Sequence, residues 1–221
     1  MKRICAVLLC LLLLCPVYAG AQTGTVALTF DDGPSGRFTR TLLDGLSERQ
    51  VKATFLLCGY RLKEYPAEGR RILEEGHEIG LHGFSHRPMN RMGAAELEKE
   101  LRDTMAVLPS GCRPAFLRPP GGCCSAKVSD AARAFDLGIV NWSVDPKDWA
   151  TRDVEAITTM VLDNVRDGDI ILLHDMSDSS VEAALSIIDR LREQGFCFVT
   201  VSELAKQKNI PIEPGKIYNR F

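Results

Sequence analysis

The sequence predicts an α/β fold of parallel strands alternating with helices and, among such folds, favours an irregular (β/α) barrel. Short apolar runs of strand length alternate about seven times with stretches of helical spacing, without a long linker, low-complexity segment or repeat. Alternation at this spacing puts parallel strands inside and helices outside. An open doubly wound sheet fits that alternation too, but no G-x-G-x-x-G follows the first strand. Polar motifs instead fall directly after many different strands, which suits a barrel whose site is the rim at the strands' C-terminal ends.

Residues 1–21 stand outside this pattern. Lys2-Arg3, an apolar core from Ile4 to Cys15 and the small residues Ala19-Gly20-Ala21 form an export signal cleaved before Gln22. The apolar core is shorter than the ~20 residues of a spanning helix, and Leu14 is not the small residue that lipid attachment at Cys15 requires. The expectation is a secreted or cell-envelope protein with no stable membrane span, an uncleaved anchor being the alternative. About 200 residues remain, enough for one domain with a substantial core. Without Lys2 and Arg3, 25 basic residues face 29 acidic ones, a formal charge of −4. That balance, with no basic block, argues against nucleic acid as a partner.

In chain order, Val26 to Phe30 is a buried strand ending in Asp31-Asp32-Gly33-Pro34. Thr39 to Arg49 has helical spacing through Leu42, Leu43 and Leu46, and Lys52 to Leu57 is a strand. Pro66 to Glu75 is a helix stopped by Gly76, and Glu78 to Leu81 a strand entering His82. Ala94 to Leu108 carries an apolar stripe at Leu97, Leu101, Met105 and Leu108. Phe116 to Arg118 is a short strand, and Ser125 to Phe135 a helix capped by Ser125. Gly138 to Val144 is a strand, Asp153 to Val165 a helix and Asp169 to His174 a strongly apolar strand. Ser180 to Gln194 is a helix closed by Gly195, Phe196 to Thr200 a last strand and Val201 to Lys206 a last helix. The tail 209–221, with Pro211 and Pro214, reads as irregular.

Five motifs carry chemistry. Adjacent residues of a regular strand point to opposite faces, so Asp31 and Asp32 share a site only if the strand breaks between them. One carboxylate could then bind a metal while the other acts as base. His82 and His86, four apart, can reach one ion, and with Asp32 they make a two-His, one-carboxylate set. Arg118-Pro119-Pro120-Gly121 places a cation before a rigid turn whose first N–H belongs to Gly121, a candidate oxyanion donor. Asp148-Trp149 offers a carboxylate beside a Trp that is either a core anchor or a pocket wall. Leu172-Leu173-His174 ends the most apolar strand on an imidazole, whereas His77 has no partner motif and reads as structural. Each motif alone has a bland reading as a solvated turn or a satisfied core group; five together, each after a strand, do not.

Jointly these motifs resemble the NodB-homology polysaccharide deacetylases, the family 4 carbohydrate esterases, over Val26 to Leu204. The resemblance makes 22–208 one such domain with a distorted (β/α)7 barrel. It implies removal of acetyl groups from N-acetylated cell-wall or chitin-like polysaccharide, and in some members from acetylated xylan, using zinc, with cobalt or another divalent ion as alternatives; for the single domain a monomer is expected. It implies Asp31 as base, Asp32, His82 and His86 as metal ligands, and Arg118 as the group that positions Asp31. Gly121 would serve the oxyanion, Leu172 and Trp149 the acetyl pocket, and His174 would be the acid, held by Asp148. Two residues depart from the family pattern. Gly83 stands where Ser or Thr is usual, removing a hydrogen bond near the metal loop. Gly121 stands where many members carry an aromatic, removing a sugar-stacking face. An O-acetyl esterase on xylan and a catalytically lapsed glycan-binding module are the competing expectations.

Five cysteines follow the leader: Cys58, Cys112, Cys123, Cys124 and Cys197. Cys112 could pair with Cys123 or Cys124, while Cys58 and Cys197 lie in apolar strand-like runs as buried hydrophobes.

Overall fold

The computed structural model describes residues 23–221, so the leader expected over 1–21 lies outside the described residues. The strands are β1 (Gly24–Asp31), β2 (Thr54–Leu57), β3 (Glu78–Leu81), β4 (Phe116–Leu117), β5 (Gly138–Val140), β6 (Ile170–His174), β7 (Phe196–Phe198) and β8 (Ile217–Tyr218). Between them run α1 (Arg37–Glu48), α2 (Gly59–Glu64), α3 (Pro66–Glu74), α4 (Ala94–Met105), α5 (Ala126–Ala134), α6 (Val154–Asn164), α7 (Asp178–Glu193) and α8 (Val201–Gln207). The strands pair in parallel in the order β6-β1-β2-β3-β4-β5-β8, with β7 on the first half of β1. Past β5 the chain returns to the ring through a single parallel bridge, Val144 to Ile171, which closes β5 towards β6. This is the expected distorted (β/α)7 barrel.

Strand alternation explains the core. From β1, Val26, Leu28 and Phe30 face outward into a cluster shared with Leu42, Leu43 and Leu46 of α1 and Ile187, Ile188 and Leu191 of α7. Phe30 stacks on Phe55 of β2 with ring centroids 5.2 Å apart. Burial of each such side chain contributes about 1.5–3 kcal/mol. A second outer cluster packs Leu97 and Leu101 of α4 and Val128 of α5 on Leu81, Leu117 and Ile139. The inward set is Ala27, Leu56, Phe116, Val140 and Ile170, filled from the strands' N-terminal end by Val201 and Leu204 of α8. The α8 start is fixed there: Val201 N–H donates to Thr54 Oγ1, and a capping box joins Thr200 to Glu203. On β1 the inward positions above Ala27 are Thr29 and Asp31, so alternation delivers Asp31 to the rim.

Four local expectations are corrected. Helix α2 was not foreseen, and β5 ends at Val140 instead of running to Val144. Strand β7 ends at Phe198, where the backbone turns into the α8 cap. The tail is not wholly irregular: Ile217 and Tyr218 pair in parallel with Ile139 and Val140, and Tyr218 Oη donates to the Pro211 carbonyl. No disulfide joins the described cysteines; Cys112 and Cys124 are half-buried thiols and Cys123 an exposed one. No described helix is long and apolar enough to cross a membrane.

Candidate active site

Asp31 and His174 are register partners on the adjacent parallel strands β1 and β6. In-register neighbours project to the same face, so the sheet itself sets this carboxylate beside this imidazole. The strand breaks where the motif required: Asp32 takes a left-handed backbone, φ 71°, which swings its side chain to the side that Asp31 occupies. His82 follows β3, its N–H bonded to Leu57 O of β2, and Arg118 follows β4 with its N–H on Leu81 O. Each strand end thus hands one side chain to a common rim.

Arg118 is fully buried and makes four hydrogen bonds through its guanidinium. Its Nη1 donates to Asp31 Oδ1 at 2.7 Å and to Thr29 Oγ1 at 2.8 Å, its Nε to Val140 O, and its Nη2 to Asn141 O. A guanidinium is the one cation whose fixed fork of donors can satisfy four acceptors, two on β1 and two at the end of β5, at once. Asp31 is thereby pinned through Oδ1, leaving Oδ2 towards His82, 3.8 Å from its Nε2.

His82 Nδ1 lies 2.7 Å from Arg118 O. A carbonyl only accepts, so Nδ1 carries the proton and Nε2 presents a lone pair. That Nε2 is 3.3 Å from Asp32 Oδ1, and His86 Nε2 is 2.9 Å from the same oxygen. Asp32 Oδ1 is buried and has no aligned hydrogen-bond donor. The three ligand atoms of Asp32, His82 and His86 lie within 4.8 Å of one another. Three ligand atoms converging on one point suit a shared cation, and two imidazoles with one carboxylate suit zinc or cobalt. Burial alone would raise the Asp32 pKa, but the adjacent His82 and His86 outweigh it and hold the carboxyl well below its usual range. His86 is pushed up by its contact with Asp32.

On the other side, fully buried Asp148 accepts from His174 Nδ1 at 2.8 Å and from His174 N–H at 2.9 Å. Burial works against a charged imidazole here, yet the Asp148 bond and charge, with Asp31 and Asp32 beyond, raise His174 to about 9. A proton held at neutral pH, on a ring fixed through Nδ1, is the condition for an acid acting through Nε2.

Asp31, Asp32, His82, His86, Arg118, Asp148 and His174 therefore form one group. Leu172, two residues before His174 on β6, is 4% exposed on the same strand face. Trp149 is 63% exposed, which removes the core-anchor reading and leaves it at the rim. Gly121 sits in the turn after Arg118 at φ 66°, and a Cβ there would meet nothing nearer than Cys123 Sγ at 3.9 Å. Neither Gly121 nor Trp149 bonds to the seven-residue group among the described residues. Sequence reasoning missed Thr29, which helps hold Arg118, and Glu100, which contacts the His82–His86 loop. It also missed buried Asp175, which accepts from Thr39 beneath the Gly33 turn and which burial raises to about 6. Period and position gave a signal for Thr29, two residues before Asp31; a lone Glu on a helix rich in Glu gave none.

Comparison with known proteins adds an independent line. The family pattern described as polysaccharide deacetylase matches residues 19–140. Over 83% of this chain, the peptidoglycan-N-acetylmuramic acid deacetylase PdaC of Bacillus subtilis is 39% identical, and this chain spans 39% of that protein's length. A peptidoglycan-N-acetylglucosamine deacetylase of Bacillus cereus is 36% identical over 83% of this chain and 89% of its own. Among solved structures, a family 4 acetyl xylan esterase from Clostridium thermocellum in complex with a cobalt ion superposes with a TM-score of 0.82 and 38% identity, over 89% of this chain and 98% of that one.

Proposed function

The chain belongs to the polysaccharide deacetylase family, and on that premise we propose that it removes N-acetyl groups from amino-sugar polymers of the peptidoglycan or chitin type by metal-assisted hydrolysis. The observation that carries this is the register pairing of Asp31 with His174, with Asp32, His82 and His86 converging beside them. Asp32, His82 and His86 would hold a divalent cation, zinc in our reading, which when bound polarises the acetyl carbonyl and acidifies water. Asp31, held through Oδ1 by Arg118, takes the proton of the attacking water on Oδ2. The developing oxyanion is met by the Gly121 N–H. An amine leaves poorly unless protonated, so His174 gives its Nε2 proton to the departing nitrogen while Asp148 stabilises the imidazolium. Leu172 and Trp149 shape the space for the acetyl methyl. The Lys2 to Ala21 leader pattern supports action outside the cytoplasm, with the single barrel working as a monomer.

A second reading, an O-acetyl esterase on xylan, is favoured by the likeness to the xylan esterase structure. Acetate release from peptidoglycan, chito-oligosaccharides and acetyl-xylan, each with added zinc or with chelator, separates the two. Zinc-dependent release from an N-acetylated glycan is expected; release from acetyl-xylan alone would replace the amide reading with the ester one. An ester needs less of the acid, so His174→Ala should abolish amide cleavage and spare ester cleavage.

A further inference from the structure

The loop carrying His82 and His86 is gripped from behind by a side chain with no part in the chemistry above. Glu100 of α4 is buried, 9% exposed. Its Oε2 accepts from the Phe84 N–H at 2.7 Å and the Ser85 N–H at 2.9 Å, and its Oε1 from the Ser85 hydroxyl at 2.7 Å. Among the described residues no cation pairs with it; its partners are these three loop donors. Facing it, the start of α2 takes up the loop's carbonyls: Gly59 N–H donates to Gly83 O and Tyr60 N–H to Phe84 O, each at 3.0 Å.

The loop has need of such a grip. Gly83 and His86 both hold left-handed backbones, φ 79° and 59°. At a non-glycine residue such as His86 this conformation persists only where the surroundings over-determine it. Gly83 is also tightly enclosed, since a Cβ there would lie 2.9 Å from Met89 Cε and 3.3 Å from Glu100 Oε2. The glycine that departs from the family's Ser or Thr therefore leaves room for a carboxylate to reach two successive amides.

Resting on the metal-dependent reading, we propose that Glu100 is a positioning residue for the metal site: it fixes the Phe84–Ser85 backbone so that His82 and His86 stand in ligating geometry before the cation arrives. Groups that orient metal ligands from outside their own shell typically change affinity by about 10–100-fold when removed. The test uses metal-stripped protein with Glu100→Ala, Glu100→Gln and Ser85→Ala. Cobalt and zinc affinities are read by competition with a chromophoric chelator, and amide hydrogen exchange of Phe84 and Ser85 is read without metal. Glu100→Ala should weaken both metals about 10–100-fold and expose both amides to faster exchange. Glu100→Gln keeps a carbonyl acceptor and should fall between it and wild type; Ser85→Ala removes one bond of three and should lose least. Wild-type affinity together with wild-type exchange in Glu100→Ala would overturn the proposal. Should that variant not fold, unchanged affinity and exchange in both Glu100→Gln and Ser85→Ala would overturn it equally. Failure of the wild-type chain to take up either metal would sink the metal-dependent reading itself, a result seen without any variant. The exchange of the Phe84 and Ser85 amides then decides the role of Glu100 alone.

Discussion

Asp148 governs what His174 can do, because the carboxylate fixes the ring and supplies the largest favourable contribution to its raised pKa of about 9. If His174 is the acid, the rate at saturating substrate should fall on the alkaline side as pH passes that value. Asp148→Asn should move this limb to lower pH and reduce kcat at neutral pH by about 10²–10⁴-fold; a limb that stays in place would remove His174 from the acid role. Arg118 is the second residue on which the site depends. Arg118→Ala leaves Asp31 buried without its cation and four acceptors without donors, so unfolding in denaturant should show a loss of about 3–5 kcal/mol. Arg118→Lys should rescue little, since an ammonium lacks the planar fork. At this scale the sequence spoke plainly about groups beside a turn or a strand end, such as Asp31, His82 and His174. Glu100 was illegible because Glu96, Glu98 and Glu100 look alike on a helix until the fold shows which one faces the His82–His86 loop.

Elements set the geometry through register. Asp31 opposes His174 because Ala27 to Asp31 pairs with Ile170 to His174 without a slip, and a shift by one residue would turn both side chains out of the barrel. Long, strongly patterned elements were readable: α5 falls where apolar spacing and its capping Ser125 placed it, while α4 stops at Met105, short of Leu108, and α7 starts before Ser180, at Asp178 behind the cap Ser177. Short ones were not. Helix α2 is six residues opening on Gly59, too brief for a period to show, and its start is fixed by bonds to the loop after β3. Strand β8 is two residues among Pro211, Pro214 and Gly215, and only the exposed edge of β5 makes it a strand. Tyr218 on β8 is 6% exposed, bonds to Pro211 and Glu213 and stacks on Phe221 at 5.1 Å. Tyr218→Ala should therefore cost about 3–5 kcal/mol of stability in chemical denaturation, whereas a dispensable tail would show no change.

The whole molecule couples charge to folding, and two raised groups, His174 and Asp175, act with the same sign. The folded His174 value of about 9 lies above the ordinary 6.5, so its contribution is complete below pH 6.5 and gone once pH has risen through 9. Asp175, raised by burial from 3.8 to about 6, likewise favours the folded state below 3.8 and loses that contribution as pH rises through 6. His77, which burial lowers to about 4, opposes Asp175 in that acid range, so the Tm of metal-free protein should fall from about pH 7 to about pH 10 as His174 titrates, and a Tm that rises across that range would contradict the His174 assignment. Barrel class and rim location were legible because strand–helix alternation and polar strand ends are properties of the chain. The closure of β5 towards β6 through Val144 was not, since it depends on where the ring has room to close. The division of labour within an adjacent pair, Asp31 as base and Asp32 as ligand, is read by measuring bound zinc and acetate release together in Asp31→Asn and Asp32→Ala. Asp31→Asn should keep its zinc and lose release, while Asp32→Ala should lose both. Acetate release at the wild-type rate from zinc-loaded Asp31→Asn would contradict that division.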